Sequence, residues 1–151
     1  MLSYFKNLLG SYQTPGKDSI PQFKKNQVAA CAVFLEAANS DDEFSKIEMN
    51  TLIGILNNTF ELSIDEIEEL IQLADEYRKK SVSLFEFTGT INESFTKDEK
   101  YELLKNLWRI ILTDNVLDKF EDHFIRKVTG NLNMAHSDMI AAKMEVKKEI
   151  Q

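Results

Sequence analysis

Two short runs hold the side chains best suited to chemistry. In SDDEFSKIE, Asp41 precedes Ser45 by four residues and Glu48 by seven, and in TDNVLDKFE the same intervals join Asp114, Asp118 and Glu121. Oxygen-only donors of this kind suit a hard divalent cation, calcium or magnesium, which takes six or more oxygens. Asp41, Glu48, Asp114 and Glu121 together would supply most of such a shell. Without a cation, two carboxylates held near 4 Å repel by about 4 kcal/mol at an effective dielectric of 20, so they either gather on an ion or splay apart. The same spacing has a second explanation. A Ser or Asp followed three residues later by Glu is a capping box, which satisfies backbone donors at a helix start, and an acid there also favours the helix dipole. Capping alone accounts for the interval, so both readings stand. No EF-hand loop is present, and the run from Asp41 to Glu48 is too short to wrap an ion by itself.

Other chemistry is sparse. The only histidines are His123 and His136; the first follows Glu121 and Asp122 on a helix, where pairing with a carboxylate is the expected role, and the second stands at a helix start. Cys31 is the sole cysteine and lies in the apolar run VAACAVFLEAA, with no His or Lys within a helical turn to activate it, so it reads as a buried core thiol. There is no Gly-rich phosphate loop, GxSxG, HExxH or CxxC, and no catalytic constellation emerges; a non-enzyme is expected. Asp65, Glu68, Glu69, Asp75 and Glu76 line an acidic helix face, either a solvated surface or a docking face for a basic protein.

The bulk composition narrows the partners. The 151 residues carry a net charge of −7, 43% hydrophobic and 28% charged residues, a globular balance for one domain. An acidic chain is a poor match for a phosphate backbone, so no nucleic-acid partner is expected. The acidity is local: Glu36 to Glu76 holds twelve acids and one base, Lys46, for −11, while the rest of the chain carries +4. A lone cysteine fits a reducing compartment, no run is apolar enough for a membrane span, and no ordered signal peptide appears. These features together predict a cytoplasmic protein.

The elements that must position these residues are marked by their caps. Ser45 with Glu48, Ser63 with Glu66, Ser83 with Glu86, Thr96 with Glu99 and Asp118 with Glu121 predict five helix starts, each cap contributing about 1 kcal/mol. Apolar spacing behind them predicts helices over 22–39, 46–58, 64–80, 84–93, 97–113, 119–131 and 137–148, with no strand. On the third, Ile64, Ile67, Leu70, Ile71, Ala74 and Tyr77 form the expected apolar face. Trp108, Phe34, Phe60, Phe85, Phe87, Phe95 and Tyr101 are expected in the core, whereas Met134, Met139 and Met144 cannot share one stripe. Residues 1–21 form a separate element: a short amphipathic segment over Met1 to Leu9, able to dock on the core, fray, or touch a membrane or a partner, and a linker holding both prolines. Residues 22–151 form the helical domain.

Sliding the chain by 73 residues superposes helix, acidic turn and capped helix on a second copy. Cys31, Phe34 and Ala38 fall on Leu104, Leu107 and Ile111; Leu52 and Ile55 fall on Ile125 and Val128. Two such pairs bury their apolar faces by packing together, with the helices of 64–93 as an intervening layer. Approximate two-fold pairing would bring both acidic turns to one end of the bundle. The prediction is an all-α bundle of about seven core helices with an internal two-helix repeat.

The runs FLEAANSDDEFSKIE, SVSLFEFTGTIN, LWRIILTDNVLDKFEDHFIRK and HSDMIAAK together resemble the tellurite-resistance TerB-like family of bacterial all-helical proteins, over about residues 22–146. In that family the repeated turn reads Ala-Asp-Gly, two residues, Ser or Asp, two residues, Glu, and is associated with a divalent-metal site. Asp41, Ser45 and Glu48 match the first copy and Asp114, Asp118 and Glu121 the second, with Asp42 and Asn115 standing where the family has Gly. The resemblance implies a non-catalytic stress-response or scaffold module. The alternative is a protein-binding domain like the helical domain of membrane-linked J-domain co-chaperones; the chain lacks the His-Pro-Asp triplet of J domains themselves.

Overall fold

The computed structural model describes residues 22–38, 46–80, 83–114 and 119–150. Seven α-helices account for nearly all of them: α1 (Gln22–Ala38), α2 (Lys46–Phe60), α3 (Ile64–Lys80), α4 (Leu84–Ser94), α5 (Lys97–Ile111), α6 (Lys119–Asn131) and α7 (His136–Ile150), with a 3-10 turn over Leu112–Asp114. No strand occurs among the described residues. The predicted segment at 1–21, with its amphipathic run and linker, lies outside them.

The starts agree with the caps where the caps can be seen. At α3, Glu66 N donates to Ser63 Oγ (3.3 Å) and Ser63 N donates to Glu66 Oε1 (3.0 Å). At α5, Glu99 N donates to Thr96 Oγ1 (3.1 Å) and Thr96 N to Glu99 Oε1 (2.7 Å). The box predicted at Ser83 does not form: the serine makes no side-chain cap bond, and Glu86 N meets the Ser83 carbonyl at 3.3 Å instead. The backbone there is more extended, with φ −153° against −72° at Thr96. Asp138 supplies half a box that the spacing did not suggest, accepting from Ala135 N at 3.0 Å ahead of α7. The far end of α6 closes with Asn133 in the left-handed region (φ 59°), its N–H on the Gly130 carbonyl and that of Met134 on Thr129. Those two bonds satisfy carbonyls left over by the last turn, and Asn tolerates that backbone better than most residues.

The helix α1 is the axis of the bundle. From Val28 to Ala38 every residue but Glu36 is buried, so the helix is apolar on all sides and must be surrounded. α3 and α4 cover much of it, and α2, α5 and α6 also reach it; α7 packs on the outer side of α5 and against α6. Ala29, Ala30, Ala32, Ala37 and Ala38 allow this crowding, since a short side chain lets neighbouring helices approach closely. Cys31 is fully buried, as expected, and burial pushes its thiol far above the ordinary cysteine range. Trp108 fills the space between α5 and α7: it is 1% exposed and donates from Nε1 to the Met139 carbonyl at 3.0 Å.

The repeat persists in three dimensions. Cys31, Phe34, Ala38, Leu52 and Ile55 are all buried, and so are Leu104, Leu107, Ile111, Ile125 and Val128. The two copies touch directly, α1 on α5 and α6 and α2 on α5, while α3 and α4 lie chiefly along α1 rather than between the copies. Two expectations need correction. Phe85 is 68% exposed, because α4 buries Phe87, Thr88 and Ile91, and a residue two positions from Phe87 points nearly the opposite way. On α3 the buried stripe is Ile67, Leu70 and Ala74, and the terminal Ile64 and Tyr77 stay exposed at 57% and 45%.

Candidate metal site at the acidic turns

Each acidic turn leads into the first turn of a helix, α2 or α6, and the two glutamates of the candidate set sit there. Glu48 and Glu121 are both buried, each 7% exposed. The matching values follow from the repeat: each lies one turn before a buried apolar position, Leu52 and Ile125, and is carried under the same cover. Each also keeps an interaction within the chain. By contrast, the glutamates of the two boxes that visibly form lie nearer solvent, Glu66 half-buried and Glu99 exposed. Capping therefore does not require a glutamate to be buried. Burial removes a carboxylate from water and costs several kcal/mol unless hydrogen bonds or a counter-charge offset it.

The 3-10 turn that leads into the second acidic run is fastened to the first copy. Thr113, next to Asp114, has its hydroxyl 3.0 Å from that of Thr51 on α2, and 2.7 Å from the Arg109 carbonyl. Thr51 stands three residues beyond Glu48 and donates to the Ile47 carbonyl at 3.0 Å. The 3-10 turn as a whole packs on α2. Asp41, Ser45 and Asp118 lie outside the described residues, and Asp114 is described in its backbone alone, as the last residue of the 3-10 turn. Among the described residues no group of three or more His, Cys, Asp or Glu side chains is placed to hold a metal. The described members of the candidate set, the Glu48 and Glu121 carboxylates, offer oxygen only, which fits a hard cation and not a soft one.

The acidic face of α3 is smaller than its sequence suggests. Asp65, Glu68 and Glu76 are exposed. Glu69 is buried at 4%, so its side chain is not part of a surface that a partner would meet. At 100° per residue it lies about 160° round the helix from Ile67, so α3 is covered on a second side as well. Asp75 is drawn into the fold by Arg78 (2.6 Å) and Lys79 (3.1 Å), and Arg78 also reaches Glu36 on α1 at 2.9 Å. Burial pushes the Asp75 carboxyl up, but hydrogen bonds from Arg78 and Lys79 outweigh it and hold the group below its ordinary value. His123 and His136 are both exposed, and the carboxylate of Asp122 pairs with Arg126 at 2.9 Å instead of with His123.

The resemblance seen in the sequence is borne out by comparison. The family model for tellurite resistance protein TerB matches residues 27–144, and the chain belongs to that family. No curated protein and no solved structure matches it. Among the described residues no helix is long and apolar enough to cross a membrane.

Proposed function

Because the chain is a TerB-family domain, we propose that it acts as a non-catalytic stress-response or scaffold module that takes up one divalent cation, calcium or magnesium, between its two acidic turns. The observation that carries this reading is the paired burial of Glu48 and Glu121, at matching positions of the two repeat copies. The Thr113–Thr51 contact supports it by tying the residue before Asp114 to the helix that carries Glu48. Asp41 and Asp114 would complete the donor set. The cation would supply positive charge to carboxylates that otherwise repel, and would hold the two copies together. A basic protein partner, the competing reading, would find only Asp65, Glu68 and Glu76 exposed on α3.

The test is the thermal stability of chelator-stripped protein with and without added cation. A ligand at one hundred times its dissociation constant stabilises the folded state by about 2.7 kcal/mol, a clear upward shift in Tm. The shift should vanish in the Glu48→Gln plus Glu121→Gln variant. An unchanged Tm in roughly 10 mM of either ion, above the range of even weak oxygen-donor sites, would refute cation uptake.

A further inference from the structure

A groove on the opposite side of α1 from α3 has no part in the site above. Phe34 and Leu103 form its floor, Phe60 and Phe95 its walls, and Asp98 and Glu102 stand on its rim; the cavity holds about 370 Å³. Among the described residues no basic side chain lines it, although Lys105 meets Glu102 from outside at 3.3 Å. An apolar trough whose charged lining residues are acidic fits an amphipathic segment with a cation beside its apolar face.

The chain carries such a segment. Taken at 100° per residue, Met1, Leu2, Tyr4, Phe5, Leu8 and Leu9 fall within one continuous arc, and Ser3, Lys6 and Asn7 occupy the remainder. Lys6 is the segment's only charged side chain and stands at the edge of the apolar arc, beside Leu2 and Leu9. Residues 10–21 join it to the start of α1. From there to Phe34 is twelve residues of helix, about 18 Å. Twelve residues with random-coil dimensions would have a root-mean-square span of about 19 Å, enough to cover that distance.

We propose that residues 1–9 dock in this groove of their own chain, apolar arc inward, with Lys6 against Asp98 and Glu102. The test uses the full chain with a spin label at Ser3→Cys. Cys31, fully buried and with its thiol pushed up, stays unlabelled. Amide signals of Phe60, Phe95 and Leu103 should broaden and disappear, while those of Ile140 and Met144 persist. Lys6→Glu should restore the lost signals, and adding Glu102→Lys to it should abolish them again. Broadening centred elsewhere, or none, would overturn the proposal. So would broadening seen only when labelled and isotope-enriched chains are mixed, which would put the segment on a second copy. Broadening that appears only with anionic vesicles would assign the segment to a membrane and overturn it equally.

Discussion

Three helix starts share one sequence pattern but not one structure, and this difference is measurable. Thr96 accepts from Glu99 N at 3.1 Å, and Ser63 accepts from Glu66 N at 3.3 Å, whereas Ser83 makes no side-chain cap bond. Replacing a working cap with alanine leaves a helix-terminal N–H without its acceptor and costs about 1 kcal/mol. For a chain of this size that lowers Tm by roughly 2–4 °C. Thr96→Ala should show this full loss, and Ser63→Ala a similar or slightly smaller one given its longer bond. Ser83→Ala removes no cap and should stay within about 0.5 kcal/mol of the parent. Urea unfolding followed by circular dichroism resolves these values if the slope of each transition is unchanged. A loss at Ser83→Ala as large as at Thr96→Ala would show that this box does form, and would remove the ground for distinguishing boxes by geometry. The comparison bears on Glu48 and Glu121 too, because it fixes what capping by itself is worth.

Trp108→Ala should be among the most damaging single changes, at about 3–5 kcal/mol, since it empties a fully buried site and removes the indole bond to the Met139 carbonyl; denaturant titration measures it. Cys31 should resist thiol reagents in the native protein and react at once in denaturant, as read by a colorimetric thiol assay. The pairing of Glu149 with Arg109, at 2.7 Å and 3.0 Å, holds that carboxyl below its ordinary value. A depressed carboxyl contributes stability above its unfolded pKa and loses it as the pH falls through the folded one. Acid unfolding of Glu149→Gln should therefore differ little from the parent at low pH and show a small deficit at neutral pH, small because the pair is largely solvated.

The fold was legible because its local signals agreed. Caps at Ser63 and Thr96 set helix starts, and the all-apolar run around Cys31 could only be a central helix. The 73-residue repeat proved to be a repeat of burial, since apolar positions that match in sequence face the same core. What the sequence hid depends on tertiary cover. Glu69 sits on the side of α3 that periodicity assigns to water, yet it is buried; Phe85 is aromatic and yet exposed, because α4 turns Phe87 and Ile91 inward. The same holds at the acidic turns. Spacing alone left Glu48 and Glu121 equally suited to capping or to a cation, and their burial arises from packing that no local pattern reports. The groove beside Phe34 was not visible either, because its walls come from α2, α5 and the connection between α4 and α5.

The central claim, a divalent cation held by the two acidic turns, is tested most directly by titration calorimetry of chelator-stripped protein with calcium and with magnesium, repeated on the Asp41→Asn plus Asp114→Asn variant. Saturable heat at one site per chain is expected in the parent, lost in a variant that remains folded. An absence of heat with both ions, or identical heat in the two proteins, would contradict it and leave the four carboxylates as helix caps.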